Sequence, residues 1–372
     1  MTDFEMTVPC IFGLESFVTR ELKQLGINTT SVTDGHVNFK GGYEELIKAN
    51  IWLRTGERVL IKITEFVADN FDDFYQGIKN APWKDFLPSD AKIPITCHCI
   101  NSKLSSVQKC RSIIKRAVAD SMNIAFLQEN GGEYQIRFTI LKDKVSVYVD
   151  SSGDGLHKRG YRRLSNAAPL KETIAAAMVS LSRWRYEDPL LDPFCGSGTI
   201  AIEAAMYKLN IAPGLKRSFA FENFDAIDKN LVKRVRLEAE SAVKDIELNI
   251  TASDIDPECV KLTRENAQLA GVGEYIKVFT KDARNFKTDV PGGTIITNPP
   301  YGERLSDIAE CKKLYKEIGT TFSALDNWAY FILASADDFQ SCFNKQADKM
   351  RKVYNGTIKC NIYQYFKERK NF

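Results

Sequence analysis

A chain of 372 residues, 44% of them hydrophobic, is long enough to bury two or three separate cores rather than one. No apolar run approaches the roughly 18 residues needed to cross a bilayer, and a start carrying Asp3 and Glu5 has neither the basic lead nor the apolar core of a secretory signal, so a cytoplasmic protein is expected. A net charge of +3 is nearly balanced, so bulk electrostatics do not announce a nucleic-acid binder and the local distribution of charge says more.

Residues 1–50 read as a small α/β unit. A strand at 6–10 precedes apolar residues at helical spacing over 13–22, closed by Gly26; 36–39 alternates as a second strand, and 42–52 is helical, with Leu46, Ile47, Ile51 and Trp52 near one face. The pattern resumes with a strand at 59–67, a helix near 71–78, a strand at 93–100 and a helix at 106–121. Strands at 133–141 and 144–150 follow, joined as a hairpin by Lys142-Asp143. Nine cysteines are spread singly apart from Cys97-His98-Cys99, where alternation fits a strand, and no second pair completes a metal set, so no metal is expected. Lys103, Lys109, Arg111, Lys115 and Arg116 form one basic segment, which suits a solvated helix face or RNA equally.

Glycines and serines from 151 mark a joint between two halves, and the run His157-Lys158-Arg159-Gly160-Tyr161-Arg162-Arg163 within it is a second candidate RNA contact. After an Ala-rich helix at 170–184, a short apolar strand ends on Asp192. A tight turn through Phe194, Cys195, Gly196, Ser197 and Gly198 then opens a helix at Thr199, gathering backbone amides at a helix N-terminus beside a carboxylate. This spacing is neither Gly-x-Gly-x-x-Gly nor a Gly-Lys-Ser/Thr phosphate loop, so the expected ligand carries a carboxylate, an amine and an adenosine but no phosphate. The stretch 206–247, with Phe219, Phe221, Phe224 and a charged helical run, reads as an insertion at the sheet's rim that either grips substrate or lids the core.

The next strand ends at Asp254-Ile255, a carboxylate able to accept ribose hydroxyls and an apolar side chain able to cover an adenine face; Asp256 caps a helix with Pro257 at its first position. A strand at 275–280 leads to Asp282-Ala283. The run 293–297 then breaks at Asn298-Pro299-Pro300-Tyr301-Gly302, setting an amide, a rigid turn and an aromatic ring at a strand's carboxyl end. A helix at 309–325, a strand at 328–333, a helix near 337–345 and closing strands near Val353 and at 358–366 complete the chain.

Asp192-Pro-Phe-Cys-Gly-Ser-Gly-Thr199 followed by Asn298-Pro-Pro-Tyr301 resembles the class I S-adenosylmethionine-dependent methyltransferases that modify exocyclic amino nitrogens of nucleobases. Asn101-Ser-Lys-Leu104, the ending Val147-Tyr-Val-Asp150, and the corner Gly160-Tyr-Arg-Arg163 with Ala168-Pro-Leu-Lys-Glu-Thr173 resemble the branch that carries a THUMP domain. The resemblance implies an α/β protein with a seven-stranded Rossmann-like class I methyltransferase at 169–372, behind an N-terminal α+β part made of a ferredoxin-like region at 1–55 and a THUMP RNA-binding domain at 56–152, with a linker at 153–168. It implies S-adenosylmethionine contacts at Asp192, Phe194, Gly196, Gly198, Thr199, Asp254, Ile255, Asp282, Ala283 and Asn298, with Asp282 accepting from the adenine amine and 170–172 near the methionine end. It implies RNA contacts at Lys103, Lys109, Arg111, Lys158, Arg159, Arg162 and Arg163.

The layout of the whole chain resembles the bacterial 23S rRNA guanine-N2 methyltransferases in a single-activity form, which makes 23S rRNA or a pre-ribosomal particle the expected partner. The motif itself leaves open a tRNA guanine-N2 enzyme and an adenine-N6 enzyme, and a non-catalytic RNA-binding assembly factor is the reading from another class. In the catalytic reading, the Asn298 side-chain oxygen and the Pro299 carbonyl accept the two N–H groups of the amine and aim its lone pair, Pro300 fixes the turn, and Tyr301 stacks on a base rotated out of its helix. Cys195 reads as a small packing residue.

Overall fold

The computed structural model describes residues 3–162, 170–302, 305–335, 338–356 and 358–367. The chain divides into two units: one holds the start to Cys10, Val18–Leu156 and Arg217–Glu238, and the other Ile11–Phe17, His157–Lys216 and Ala239 onward.

The first unit is built on β1 (Phe4–Pro9), β2 (Thr29–Thr33), β3 (His36–Gly41), β4 (Leu60–Val67), β5 (Ile95–Ile100), β6 (Ile136–Leu141) and β7 (Lys144–Asp150), with α1 (Glu15–Gln24) from Val18 on, α2 (Tyr43–Trp52), α3 (Phe71–Lys79) and α4 (Val107–Met122). All seven strands form a single sheet in the order β2-β3-β1-β4-β7-β6-β5. Alternation explains the pairing: Met6, Val8, Val37 and Phe39 are fully buried on one face, and Val145, Val147 and Val149 continue that face across β7. The expected β-α-β-α order of the first fifty residues lacks one strand, β2. Its sequence Thr-Thr-Ser-Val-Thr leaves it almost wholly exposed, and as the sheet's edge it carries no apolar alternation to read.

The second unit holds α5 (Glu172–Ser182), β8 (Leu190–Asp192), α6 (Thr199–Lys208), the end of α7 (Lys229–Ser241), β9 (Ile250–Asp254), α8 (Pro257–Ala270), β10 (Ile276–Thr280), β11 (Gly293–Thr297), α9 (Leu305–Ser323), β12 (Trp328–Ala334), α10 (Phe339–Phe343), β13 (Lys349–Asn355) and β14 (Ile358–Tyr365). Its sheet runs β10-β9-β8-β11-β12-β14-β13, parallel from β10 to β12 and closed by the antiparallel pair β14 and β13. β8, β11 and β12 are buried along their whole length, as central parallel strands must be when helices cover both faces. α6 is buried nearly all round because its run Ile-Ala-Ile-Glu-Ala-Ala offers small side chains on every side, which lets it lie against α5 and α8. No helix among the described residues is long and apolar enough to cross a membrane.

One sequence expectation changes here. Residues 217–238 are not an insertion at the rim of the second sheet; they belong to the first unit. Phe219, Phe221 and Phe224 are buried there; Phe224 stacks on Tyr134 at 4.5 Å, and the Arg217 guanidinium donates to the carbonyls of Ser152, Asp154 and Gly155. The serine-rich start of the joint is firmly held. Ser151 and Ser152 are fully buried, with Asn50 donating to the Ser151 hydroxyl at 2.9 Å and accepting from Ser152 at 2.6 Å, while Val59 N–H donates to Ser152 at 2.8 Å. Asn50→Ala takes one of two hydrogen-bond partners from each hydroxyl in a dry site and is expected to lower stability by about 1–3 kcal/mol. A chemical-denaturation midpoint within error of the parent would contradict this.

Candidate active site

Four parallel strands end on one edge of the second sheet, and each end carries a residue the sequence had marked. β8 ends on Asp192, β9 on Asp254, β10 leads to Asp282, and β11 leads to Asn298. Pairing of β8 with both β9 and β11 puts the first strand of this unit at its middle, so the chain turns outward on one side and returns on the other. The carboxyl edge at such a reversal is where doubly wound sheets open a crevice. A cleft of about 1370 Å³ lies there, lined by Asp192, Phe194, Gly196, Thr199, Asp254, Ile255, Asp282, Ala283 and the whole turn 298–301.

The first turn is fastened from three directions. Gly196 N–H donates to the Asp254 carboxylate at 3.0 Å, Thr263 of α8 donates to the Gly196 carbonyl at 2.9 Å, and Asn266 donates to the Ser197 carbonyl at 2.9 Å. Gly198 shapes this turn without lining the cleft: its φ is +83°, and a Cβ there would meet the Thr263 methyl at 2.8 Å. Asp256 caps α8, accepting from Glu258 N–H at 2.9 Å. Cys195 is buried and lies against Thr263.

Asp192 is 1% exposed, and one carboxylate oxygen accepts from the Thr297 hydroxyl at 2.8 Å and from Phe194 N–H at 3.3 Å. Burial pushes its carboxyl up to about 7; the Thr297 and Phe194 hydrogen bonds oppose the rise, and the charge of Asp254 adds to it. Asp282 is bound at both oxygens by Arg284, with Nε at 2.9 and 2.8 Å, and those hydrogen bonds hold its carboxyl below the usual range. Arg284 also approaches Glu317 of α9 at 3.6 Å.

The second turn is rigid. Tyr315 donates to the Pro300 carbonyl at 2.7 Å, and Gly302, with φ +74°, sits where a Cβ would meet the Asp307 backbone at 2.8 Å. The Tyr301 ring packs against the core of the unit, and its hydroxyl donates to Asn298 Oδ1. Arg284, Glu310, Lys313, Glu317, Ser335 and Asn355, which the sequence reading did not mark, also line the cleft. Their one signal is the spacing of Glu310, Lys313, Leu314 and Glu317 along one face of α9.

Two cations of the second basic run are engaged within the fold. Arg159 is 2% exposed and pairs at 3.3 Å with Glu203, which also accepts from Tyr161, while Arg162 pairs with buried Glu172 at 2.7 Å and donates to the Leu170 carbonyl at 3.1 Å. Cations inside a fold need carboxylate partners, and these two have them. Arg163 lies outside the described residues, as do the positions up to 169; Lys158 is exposed. In the first unit Lys103 is exposed and paired with Asp69 at 2.8 Å, Lys109 lies 3.7 Å from the centre of the Phe71 ring, and Arg111 is exposed on α4.

The cleft's charge fits a cationic ligand with hydroxyls rather than a phosphate: carboxylates stand at three strand ends, and Arg284 is already neutralised by Asp282. The family models agree with this geometry. Residues 159–364 match the RMKL-like methyltransferase domain, 5–60 the RlmL ferredoxin-like domain and 68–150 the THUMP domain. The chain belongs to the THUMP-containing, RlmL-like class I methyltransferases. Class I methyltransferases take their methyl group from S-adenosylmethionine, and the THUMP domain is an RNA-binding module.

Among relatives, the candidate RNA methyltransferase YpsC of Bacillus subtilis is 39% identical over 98% of this chain and 97% of its own. The ribosomal RNA large subunit methyltransferase K/L of Psychromonas ingrahamii is 36% identical over 96% of this RlmL-like chain, which spans 49% of that protein. Among solved structures, the methyltransferase SMU.472 complexed with SAH matches with a TM-score of 0.94 at 39% identity, covering 99% of each chain.

The Asp192 carboxyl gives a pH test. Its folded value of about 7 stands above the ordinary 3.8, so the ligand-free fold holds a proton there that the unfolded chain releases. That stabilisation is complete below about 3.8 and disappears as pH rises through about 7. Asp192→Asn keeps an oxygen for Thr297 but has nothing to ionise, so between pH 5 and pH 8 its stability is expected to improve relative to the parent by about 1–3 kcal/mol. Urea midpoints of the ligand-free proteins at the two pH values decide it; a constant difference would rule the buried neutral carboxyl out.

Proposed function

We propose that this RlmL-like chain transfers the methyl group of S-adenosylmethionine to the exocyclic N2 of a guanine in 23S rRNA, in the free RNA or in a pre-ribosomal particle. The observation that carries the reading is the junction of the two strand ends: Thr297, the residue before Asn298, donates to Asp192 at the cofactor turn. Support for rRNA comes from the likeness to the K/L enzyme along nearly the whole of this chain, and support for RNA from the THUMP match.

In this reading Asp254 accepts the ribose hydroxyls, Ile255, which is 59% exposed at the cleft, covers one adenine face, and Asp192 sets the charge at the methionine end. The cofactor supplies an electrophilic methyl on a sulfonium. The chain's own work is positioning: Asn298 Oδ1 and the Pro299 carbonyl accept the amine's two N–H groups, so the nitrogen lone pair, otherwise delocalised into the ring, turns toward the methyl. The Tyr315 bond to Pro300 keeps that acceptor pair still. The amine's surplus proton leaves to solvent after transfer.

Asn298→Ala is expected to lower turnover by about 10²–10³, as for one preorganised transition-state hydrogen bond, with SAH affinity nearly kept. Asp254→Ala is expected to act oppositely, weakening SAH affinity by about 10–100-fold. Single-turnover methylation and calorimetric titration of SAH separate the two; a shared phenotype would defeat the assignment. Mass spectrometry of rRNA and tRNA nucleosides from cells lacking the gene tests the substrate. Loss of N2-methylguanosine from 23S rRNA is expected, loss from tRNA alone or loss of N6-methyladenosine points to the other base or RNA, and unchanged nucleosides favour an assembly factor.

A further inference from the structure

Helix α9 is pinned to the second turn at two points. Its backbone at Asp307 and Ile308 runs so close to Gly302 that a Cβ there would meet it at 2.8 Å, and Tyr315, about two turns on, donates to the Pro300 carbonyl at 2.7 Å. Between the pins, Glu310 is among the side chains that line the cleft. Other carboxylates of the cleft are engaged. Asp192 accepts from the Thr297 hydroxyl, Asp254 from Gly196 N–H and Asp282 from the Arg284 guanidinium, while Glu317 stands 3.6 Å from Arg284 and 4.0 Å from Lys313. Glu310 has no hydrogen-bond or ion-pair partner among the described residues. Water solvates such a group in an open cleft, and a base seated against the turn takes the place of that water and has to bring a donor of its own.

We propose that Glu310 selects guanine, its carboxylate accepting the ring N1–H beside the amine that Asn298 and Pro299 hold. The inference rests on the proposed amine-aiming role of that turn. Guanine carries N1–H next to its exocyclic N2, so an enzyme that takes the amine meets a second donor on the same edge. Adenine, with its N6 amine in the same two acceptors, brings a bare N1 lone pair to that place, and a carboxylate repels it. The choice is made by donor against acceptor, not by size. A site built to accept an N–H rejects the analogue that lacks it far more strongly than an apolar pocket rejects a wrong shape. The turn 298–301 thus fixes the kind of atom that is methylated, and α9 fixes the base that carries it.

The experiment incubates the full chain and S-adenosylmethionine with 23S rRNA from cells lacking the gene. It reads kcat/KM for methyl transfer, the Kd for SAH, and the methylated nucleoside by mass spectrometry. Glu310→Ala is expected to lower kcat/KM by about 10–100-fold, as for one charge-assisted contact, with the SAH Kd within about twofold of the parent. Glu310→Gln, which keeps an accepting oxygen without the charge, is expected to fall by only about 3–10-fold. Glu310 is exposed on the helix surface, so neither change takes away a core contact. A carboxylate that merely repels the phosphates flanking the base predicts the opposite sign, since its removal raises kcat/KM. A rise or no change in Glu310→Ala therefore overturns the proposal, and so does a loss of SAH affinity as large as the loss of kcat/KM. The substrate reading fails separately, on the parent alone, if its product is N6-methyladenosine or if it transfers no methyl group to the RNA.

Discussion

The 2.8 Å bond from Thr297 to Asp192 joins residues 105 positions apart, and the rest of the site follows from it. It exists because β11 enters the sheet beside β8, on the side away from β9, so two strand ends far apart in the chain become neighbours. Moving either strand by one residue would turn Asp192 or Thr297 to the other face of the sheet. Parallel register thus fixes the distance between the cofactor turn and the amide turn, and no flexible loop has to set it. The cost is a carboxyl in a dry place. The fold tolerates it by giving one oxygen two donors and letting the group remain neutral near pH 7 in the absence of a cation.

A second dry cluster lies on the same side of the unit. Arg159, Tyr161 and Arg162 close on Glu203 of α6 and Glu172 of α5, and Arg162 also reaches within 3.5 Å of Thr199, the first residue of α6. Burying such pairs contributes little net stability, because desolvation offsets most of the attraction. Its effect is directional: the guanidinium groups hold the starts of α5 and α6 at a set separation, and both Leu170 and Thr199 line the cleft. Glu172 shows the balance of forces. Burial raises its carboxyl while Arg162 and Arg159 draw it down, so the pair persists only while both cations remain in place.

Most of the architecture was legible because it is written in local period. Twofold alternation marked β1, β3 and β7, helical spacing marked α1 and α2, and Gly, Pro and Asp punctuation located the turns at 193–198 and 298–302. The places where sequence reasoning went astray share one physical feature: burial decided by distant partners. Arg159 looks like a surface cation until Glu203, 44 residues away, is beside it. Phe219, Phe221 and Phe224 look like part of an insertion at the second sheet's rim until Tyr134 and the carbonyls around Gly153 claim that segment. β2 was missed for the opposite reason, since an edge strand with polar side chains is defined by its backbone hydrogen bonds to β3 alone.

Charge decides what can enter the cleft under the proposed reading. Asp254 and Asp282 stand at the strand ends, and Asp307, Glu310 and Glu317 outnumber Lys313 on the α9 side, so a phosphate backbone meets net repulsion there. Arg284 does not relieve it, being held by Asp282 and Glu317. A single base is uncharged, however, and its amino group is drawn toward acceptors. The site therefore discriminates by charge before it discriminates by shape: an extruded nucleobase enters, and the strand it came from stays outside. Contacts to the strand must then come from the exposed cations elsewhere, such as Lys109 and Arg111 on α4 of the THUMP-matching unit. Catalysis and affinity are thus assigned to different parts of the chain by electrostatics, since the cleft that takes the base repels the phosphates that follow it.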